Sequence, residues 1–174
     1  MNLRKLAFIG IIIFSVTSSA LAFNPGSEPD GFREIKWGTD ISKLKGMEYL
    51  WTDDSGVNVY KRNGDVLKIG RANVATIRYN FWKEKFFRVY ITTNGLENWR
   101  VLKEACFDKF GEAYKPNNYK EYYLWGLGKI TGMSIGYDKL TGVGYLFIDS
   151  KEISKEVKIF EEKARQKLKT VEGF

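Results

Sequence analysis

Histidine does not occur in this chain of 174 residues, and cysteine occurs once, at position 106. The first absence removes imidazole acid–base work, Ser–His and Cys–His nucleophilic machinery and the common zinc ligand sets. The second excludes an intrachain disulfide scaffold, although the N-terminus points to an oxidising compartment. Cys106 sits beside Phe107 in a helical pattern. It reads as a small buried hydrophobe, with a reactive or intermolecular thiol as the alternative. A spaced acidic ladder is missing too: "TDDSGVN" offers Asp53 and Asp54 but lacks the pattern of a calcium loop and reads as a solvated turn. "GLGKITG" imitates a nucleotide loop at Gly126, Gly128 and Gly132. Its third glycine comes one residue late and no helix follows, which argues against a dinucleotide site.

What is present starts at the N-terminus. Arg4 and Lys5 precede an apolar run from Leu6 to Val16, and Ala20-Leu21-Ala22 forms a small-x-small cleavage site. These are the three parts of a secretory signal. The run is shorter than the roughly 20 residues a bilayer span needs, and no second apolar run follows to act as a stop. Residues 1–22 are therefore expected as a cleaved signal peptide, which predicts a periplasmic or secreted protein without an integral membrane span after cleavage. Cleavage would take Arg4 and Lys5 from a formal charge of +7. The modest basic remainder serves solubility or weak attraction to anionic envelope surfaces.

The remaining composition, 44% hydrophobic and 16% aromatic, suits one packed domain rather than a disordered chain. "FNPGSEPDG", residues 23–31, carries two prolines and two glycines and reads as a flexible leader. "FREIKW" alternates as a first strand. Thr39 or Asp40 can cap a short helical turn that Gly46 ends. Asn63-Gly64 favours a two-residue hairpin turn, which would pair Tyr60 with Leu67 but set Asn58 opposite Ile69. Leu96, Trp99, Leu102, Cys106 and Phe110 mark one apolar helix face, with Gly111 as its C-terminal cap. "YKEYYLW", "KITGMSIGY" and "GVGYLFID" read as strands. In the final segment Ser150 can cap a helix with Ile153, Val157, Phe160, Ala164 and Val171 along one seam and Leu168 beside it. Docking on the domain's own sheet and binding a partner are both open for that helix.

Element order is strands, helix, strands, helix. This predicts an α+β fold: a mainly antiparallel sheet of about six to eight strands, one central helix and a C-terminal amphipathic helix. The domain is expected over residues 32–150 and the terminal helix over residues 151–174. The two halves can be structural echoes, each a β-meander followed by a helix.

The richest stretch is "FWKEKFFRVYI", residues 81–91, which interleaves aromatic and charged side chains. A two-residue loop at Lys83-Glu84 would pair Phe81 with Phe86 and swing Arg88 onto the apolar face. A three-residue loop, Lys83 to Lys85, pairs Phe81 with Phe87, Tyr79 with Val89 and Ile77 with Ile91. The second register keeps one face wholly apolar and is expected to win, because burying an arginine costs more than a turn preference. Arg78, Trp82, Phe86, Arg88 and Tyr90 then share the outer face. Aromatics with arginine are the usual material of interaction hot spots. Nucleic acid is disfavoured by the export signal.

The segments "FREIKWGTDISKLKGM", "VYKRNGDVLKIG", "IRYNFWKEKFFRVYI", "FGEAYKPN" and "YYLWG" together resemble a family of small exported proteins of Gram-negative bacteria without an established activity. The resemblance covers about residues 32 to 150. It implies a periplasmic single-domain protein and carries over no functional residues.

Taken together, the sequence predicts a non-enzymatic binding or interaction module of the cell envelope, with no cofactor and with an envelope protein or component, of unknown identity, as partner. The candidate surfaces are the outer hairpin face (Arg78, Trp82, Phe86, Arg88, Tyr90) and a second patch at Val157, Phe160 and Ala164. The alternative is a small-molecule or glycan-binding protein, extending to a hydrolase, with a pocket between sheet and helix and carboxylates such as Asp53, Asp54, Asp65 or Asp138 converging on it.

Overall fold

The computed structural model describes residues 23–126 and 128–171. The expected signal peptide, Leu127 and residues 172–174 lie outside that description, as do the side chains of Lys169, Thr170 and Val171. In chain order the elements are β1 (Gly31–Phe32), β2 (Ile35–Lys36), a 3-10 turn (Ile41–Lys43), β3 (Met47–Thr52), β4 (Asn58–Arg62), β5 (Lys68–Ile69), β6 (Ala72–Asn73), β7 (Thr76–Trp82), β8 (Lys85–Asn94), α1 (Leu96–Phe110), β9 (Tyr122–Trp125), β10 (Thr131–Asp138), β11 (Val143–Ser150) and α2 (Lys151–Val171). Seven strands form one antiparallel sheet in the order β3-β4-β7-β8-β11-β10-β9. Two small hairpins, β1–β2 and β5–β6, stand outside it. The fold is thus a single α+β domain with one helix in mid-chain and one at the C-terminal end.

Alternation along the strands builds the core. Ile77, Tyr79 and Phe81 of β7, Val89 and Ile91 of β8, Met133 and Ile135 of β10, and Leu146 and Ile148 of β11 are all buried in one cluster. Helix α1 lays Trp99, Leu102, Cys106 and Phe110 into it, one face of a 3.6-residue period. Leu96, placed on the same stripe by the sequence, stays exposed at the first turn. Gly111 closes the helix: its φ of 88° lies in the left-handed region, and its N–H donates to the Phe107 carbonyl at 2.8 Å. Gly144 of β11 serves close approach instead, since a Cβ there would meet the Trp99 side chain at 2.6 Å.

The β7–β8 hairpin resolves the register conflict in a way neither expected loop does alone. Far from the turn, Ile77 faces Ile91, Tyr79 faces Val89 and Asn80 faces Arg88. At the turn, Phe81 faces Phe86 across a two-residue loop, with Lys83 and Glu84 at φ of 46° and 66°. Phe87 is the extra residue of a β-bulge between these two stretches. The bulge lets the short turn form while Arg88 stays off the apolar face. As a consequence Phe86 belongs to the main core, against Trp37 at 5.0 Å between ring centroids, and Phe87, expected on the core face, takes the outer position expected for Phe86.

Three other expectations are corrected. Asn63-Gly64 does not connect paired strands: only Gly64 has a positive φ there, Asn63 N–H donates to the Gly46 carbonyl at 2.8 Å, and β4 pairs with β3 and β7. Strand β4 lies between β3 and β7 and β5 pairs with β6, so the expected opposition of Asn58 and Ile69 does not arise. The 23–31 leader is tied down. Phe23 is buried against the Phe110 ring, Asn24 N–H donates to the Phe110 carbonyl at 2.9 Å, and the Glu28 carboxylate accepts from the Ile130 and Thr131 N–H groups. "FREIKW" in turn is the β1–β2 hairpin, turned at Arg33 and Glu34, rather than one strand.

Candidate functional site

The sheet has two faces, and α1 covers only one of them. On the other, the strand pattern turns outward Trp51 from β3, Arg78 and Trp82 from β7, Arg88 and Tyr90 from β8, and Tyr145 and Phe147 from β11. Helix α2 leaves the end of β11 and crosses part of this outer face.

Its first turns seal the end nearest the β7–β8 loop. Val157 is buried with Val57, Trp82 and Phe87 in a second small cluster, Ile153 packs at its edge, and the Phe160 ring meets Trp82 edge-on at 5.1 Å. Polar contacts fix the helix there. Ser150 Oγ accepts from the Ile153 N–H at 3.4 Å, Ser55 Oγ donates to Glu161 at 2.6 Å, and Ser154 Oγ donates to the Asp149 carboxylate. Asp149 also faces Arg88, whose guanidinium lies 3.8 Å from it and 5.0 Å from the Phe87 ring centre.

The sequence-predicted residues therefore separate. Arg78 and Tyr90 are opposite each other in register and half-buried on the outer face. Arg88 is half-buried beside α2 and paired with Asp149. Trp82 is sealed under α2 at 5% exposure, and Phe86 lies on the opposite side of the sheet in the core at 0%. Of the second patch, Val157 is spent on the first, Phe160 is half-exposed at its rim, and Ala164 is exposed beyond it. The two predicted surfaces bury one another in part, because the seam of α2 and the aromatic end of the hairpin are complementary apolar faces.

What stays open is the rest of the outer face. The Arg78 guanidinium sits 5.5 Å over the Trp51 ring, and Trp51 is 46% exposed. Tyr90 and Phe147 stack at 4.4 Å with an angle of 21° between their rings, and Tyr145 adds to the row 5.9 Å from Phe147. Tyr145 reaches across Gly136, where a Cβ would lie 2.5 Å from its ring, so the glycine makes room for the aromatic. Burial pushes the Tyr90 and Tyr145 phenols up from their ordinary range, and for Tyr145 the neighbouring Tyr122, Tyr90 and Asp138 add to it. Two broad depressions mark this face: one of about 630 Å³ around Trp51, Arg78, Asn80 and Tyr90, and one of about 760 Å³ around Tyr119, Tyr122, Tyr145 and Phe147. Sequence reasoning missed Trp51, Tyr145 and Phe147. The alternation Tyr145-Leu146-Phe147-Ile148 carried the signal for the last two, but Trp51 had none.

The carboxylates named with the pocket alternative do not converge. Asp53 accepts from the Ser55 and Val57 N–H groups, each at 2.9 Å, and holds its own turn. Asp65 binds Arg33 at 2.6 Å and the Tyr79 hydroxyl at 2.7 Å. Asp138 accepts from the Leu140 N–H and the Thr141 hydroxyl, and these hydrogen bonds lower its pKa. No group of three or more metal-ligating side chains occurs among the described residues, and no described helix is long and apolar enough to cross a membrane. No protein-family model, no curated protein and no solved structure matches the chain.

Proposed function

We propose that this chain is an exported, non-enzymatic interaction module of the cell envelope, and that the uncovered part of the outer sheet face docks its partner. The observation that carries the reading is the row Trp51–Arg78–Tyr90–Phe147–Tyr145. Its residues come from four strands, β3, β7, β8 and β11, of a sheet whose other face already supplies the core. Aromatic rings with a guanidinium, partly exposed and held rigid by a sheet, bind at low entropic cost. The separation of Asp53, Asp65 and Asp138 into three unrelated hydrogen-bond networks favours binding over hydrolysis. Export rests on the N-terminal signal pattern and on the resemblance to small exported proteins.

The test is affinity capture from bacterial envelopes with the wild type and a Trp51→Ala/Arg78→Ala/Phe147→Ala variant, circular dichroism verifying that both fold. A component held by the wild type and lost by the folded variant is the expected result. Identical capture by the two proteins contradicts the reading. Trp82 and Phe86 are unsuitable for this test, since truncating either disturbs packing.

A further inference from the structure

The inner side of the molecule holds a cavity that the interaction reading does not use. It lies between α1 and the two small hairpins, with a volume of about 520 Å³. This falls within the roughly 300–1,000 Å³ of ligand pockets. Leu146 and Ile148 of β11 form its floor, and Phe32, Ile69, Cys106 and Phe110 its walls. Its polar groups are concentrated in three cations, Arg33, Lys68 and Lys109, and no carboxylate lines it.

The state of those cations matters. Arg33 is committed: it binds Asp65 at 2.6 Å and donates to the carbonyls of Val66 and Lys68. It braces the β5 side of the mouth. Lys68 and Lys109 are exposed and stand in no ion pair among those the structure gives for the described residues, Lys109 lying 5.3 Å over the Phe110 ring. The carboxylates of the adjoining depression, which shares Arg33 and Lys109, are largely engaged elsewhere. Glu28 accepts backbone N–H groups at 2.7 and 2.9 Å, and Asp30 pairs with Lys36 at 3.1 Å; Glu34 points to solvent at the β1–β2 turn. An apolar hole with two uncommitted ammonium groups at its rim is complementary to one class of small molecule.

The geometry points to a binding site for a single-chain amphiphile with an anionic head, of the kind represented by a medium-chain carboxylate. The chain enters between α1 and β11, against Phe32, Ile69 and Phe110. The carboxylate stays at the mouth between Lys68 and Lys109, where it keeps part of its water. The site is independent of the outer face, which lies across the sheet.

The experiment is titration calorimetry of the purified protein with decanoate, below the concentration at which it forms micelles, and with 1-decanol as the uncharged comparison. Saturable one-to-one binding of decanoate, weaker for 1-decanol, is expected. Lys68→Glu/Lys109→Glu, at exposed positions that leave the fold intact, should weaken decanoate by about tenfold or more, as loss of charge-assisted contacts does. Ala105→Trp, which fills the cavity from α1, should abolish binding. If that variant does not fold, the charge reversal alone decides. Trp51→Ala should change nothing. Absence of saturable binding overturns the proposal, as does affinity untouched by the charge reversal or affinity lost in Trp51→Ala. None of these results bears on envelope capture by the outer face, so the two readings fail separately.

Discussion

Two tryptophans of the outer sheet face, Trp51 and Trp82, meet opposite environments. Trp82 lies under α2 against Phe87, Val157 and Phe160, while Trp51 is 46% exposed with Arg78 above it. Trp82→Ala is expected to cost about 3–5 kcal/mol, the usual range for emptying a buried aromatic site. Trp51→Ala should stay within about 0.5 kcal/mol, as surface substitutions do. Urea unfolding of the two variants measures the contrast. Cys106 supplies a second residue-level expectation. Burial in the α1 core pushes its thiol up to about 12, so the folded state holds it neutral. The unfolded thiol ionises near 8.5. Its contribution is therefore fully present below that pH and is lost as pH rises toward 12, by up to about 1.4 kcal/mol per pH unit. The buried Tyr79 phenol, raised by burial and by its bond to Asp65, acts in the same direction. The urea midpoint should fall between pH 8 and 10.5, and Cys106→Ala should flatten that fall. Side-chain alternation made most of these positions legible: the pairs Ile77–Ile91 and Asn80–Arg88 follow from it directly. Phe86 and Phe87 were not legible, because a bulge shifts phase by one residue and leaves no mark in the apolar pattern.

At the scale of elements, α2 divides into two parts. Ile153, Ser154 and Val157 are buried or half-buried on the sheet and Ser55 holds Glu161, whereas Ala164 continues the seam into solvent, with Leu168 exposed beside it. A 21-residue helix is longer than the surface it docks on. The seam predicted the helix and its docked face. It could not predict where docking stops, since that depends on the width of the sheet beneath. Removing the residues after Glu162 should shift the thermal midpoint by no more than about 2–4 °C. Removing the helix from Lys151 onward uncovers Val57, Trp82 and Phe87 and should lower the midpoint well beyond that. Thermal unfolding of both truncations checks the division. The 3-10 turn was legible for a simpler reason: Asp40 accepts from the Ser42 N–H at 3.0 Å, as its capping chemistry suggests.

At the scale of the whole molecule, β3-β4-β7-β8-α1 and β9-β10-β11-α2 repeat an order of strands and then a helix, and β8 pairs with β11 to join them. The order was readable in the sequence. The junction was not, because a pairing between strands some fifty positions apart is set by the packing of both halves rather than by either segment. Nor was the placing of the helices on opposite faces, and that placing decides which aromatics stay open. It buries Trp82 under α2, while the bulge takes Phe86 to the core, and leaves Arg78 and Tyr90 to join Trp51, Tyr145 and Phe147. The central claim is that this remaining row receives an envelope partner. The most direct measurement is site-specific photo-crosslinking in growing bacteria. A crosslinking phenylalanine analogue replaces Trp51, Tyr145 or, as a control on the β5–β6 hairpin, Arg71. The account predicts the same discrete adduct from positions 51 and 145 and none from position 71. Equal adducts from all three positions, or none from 51 and 145, would contradict it.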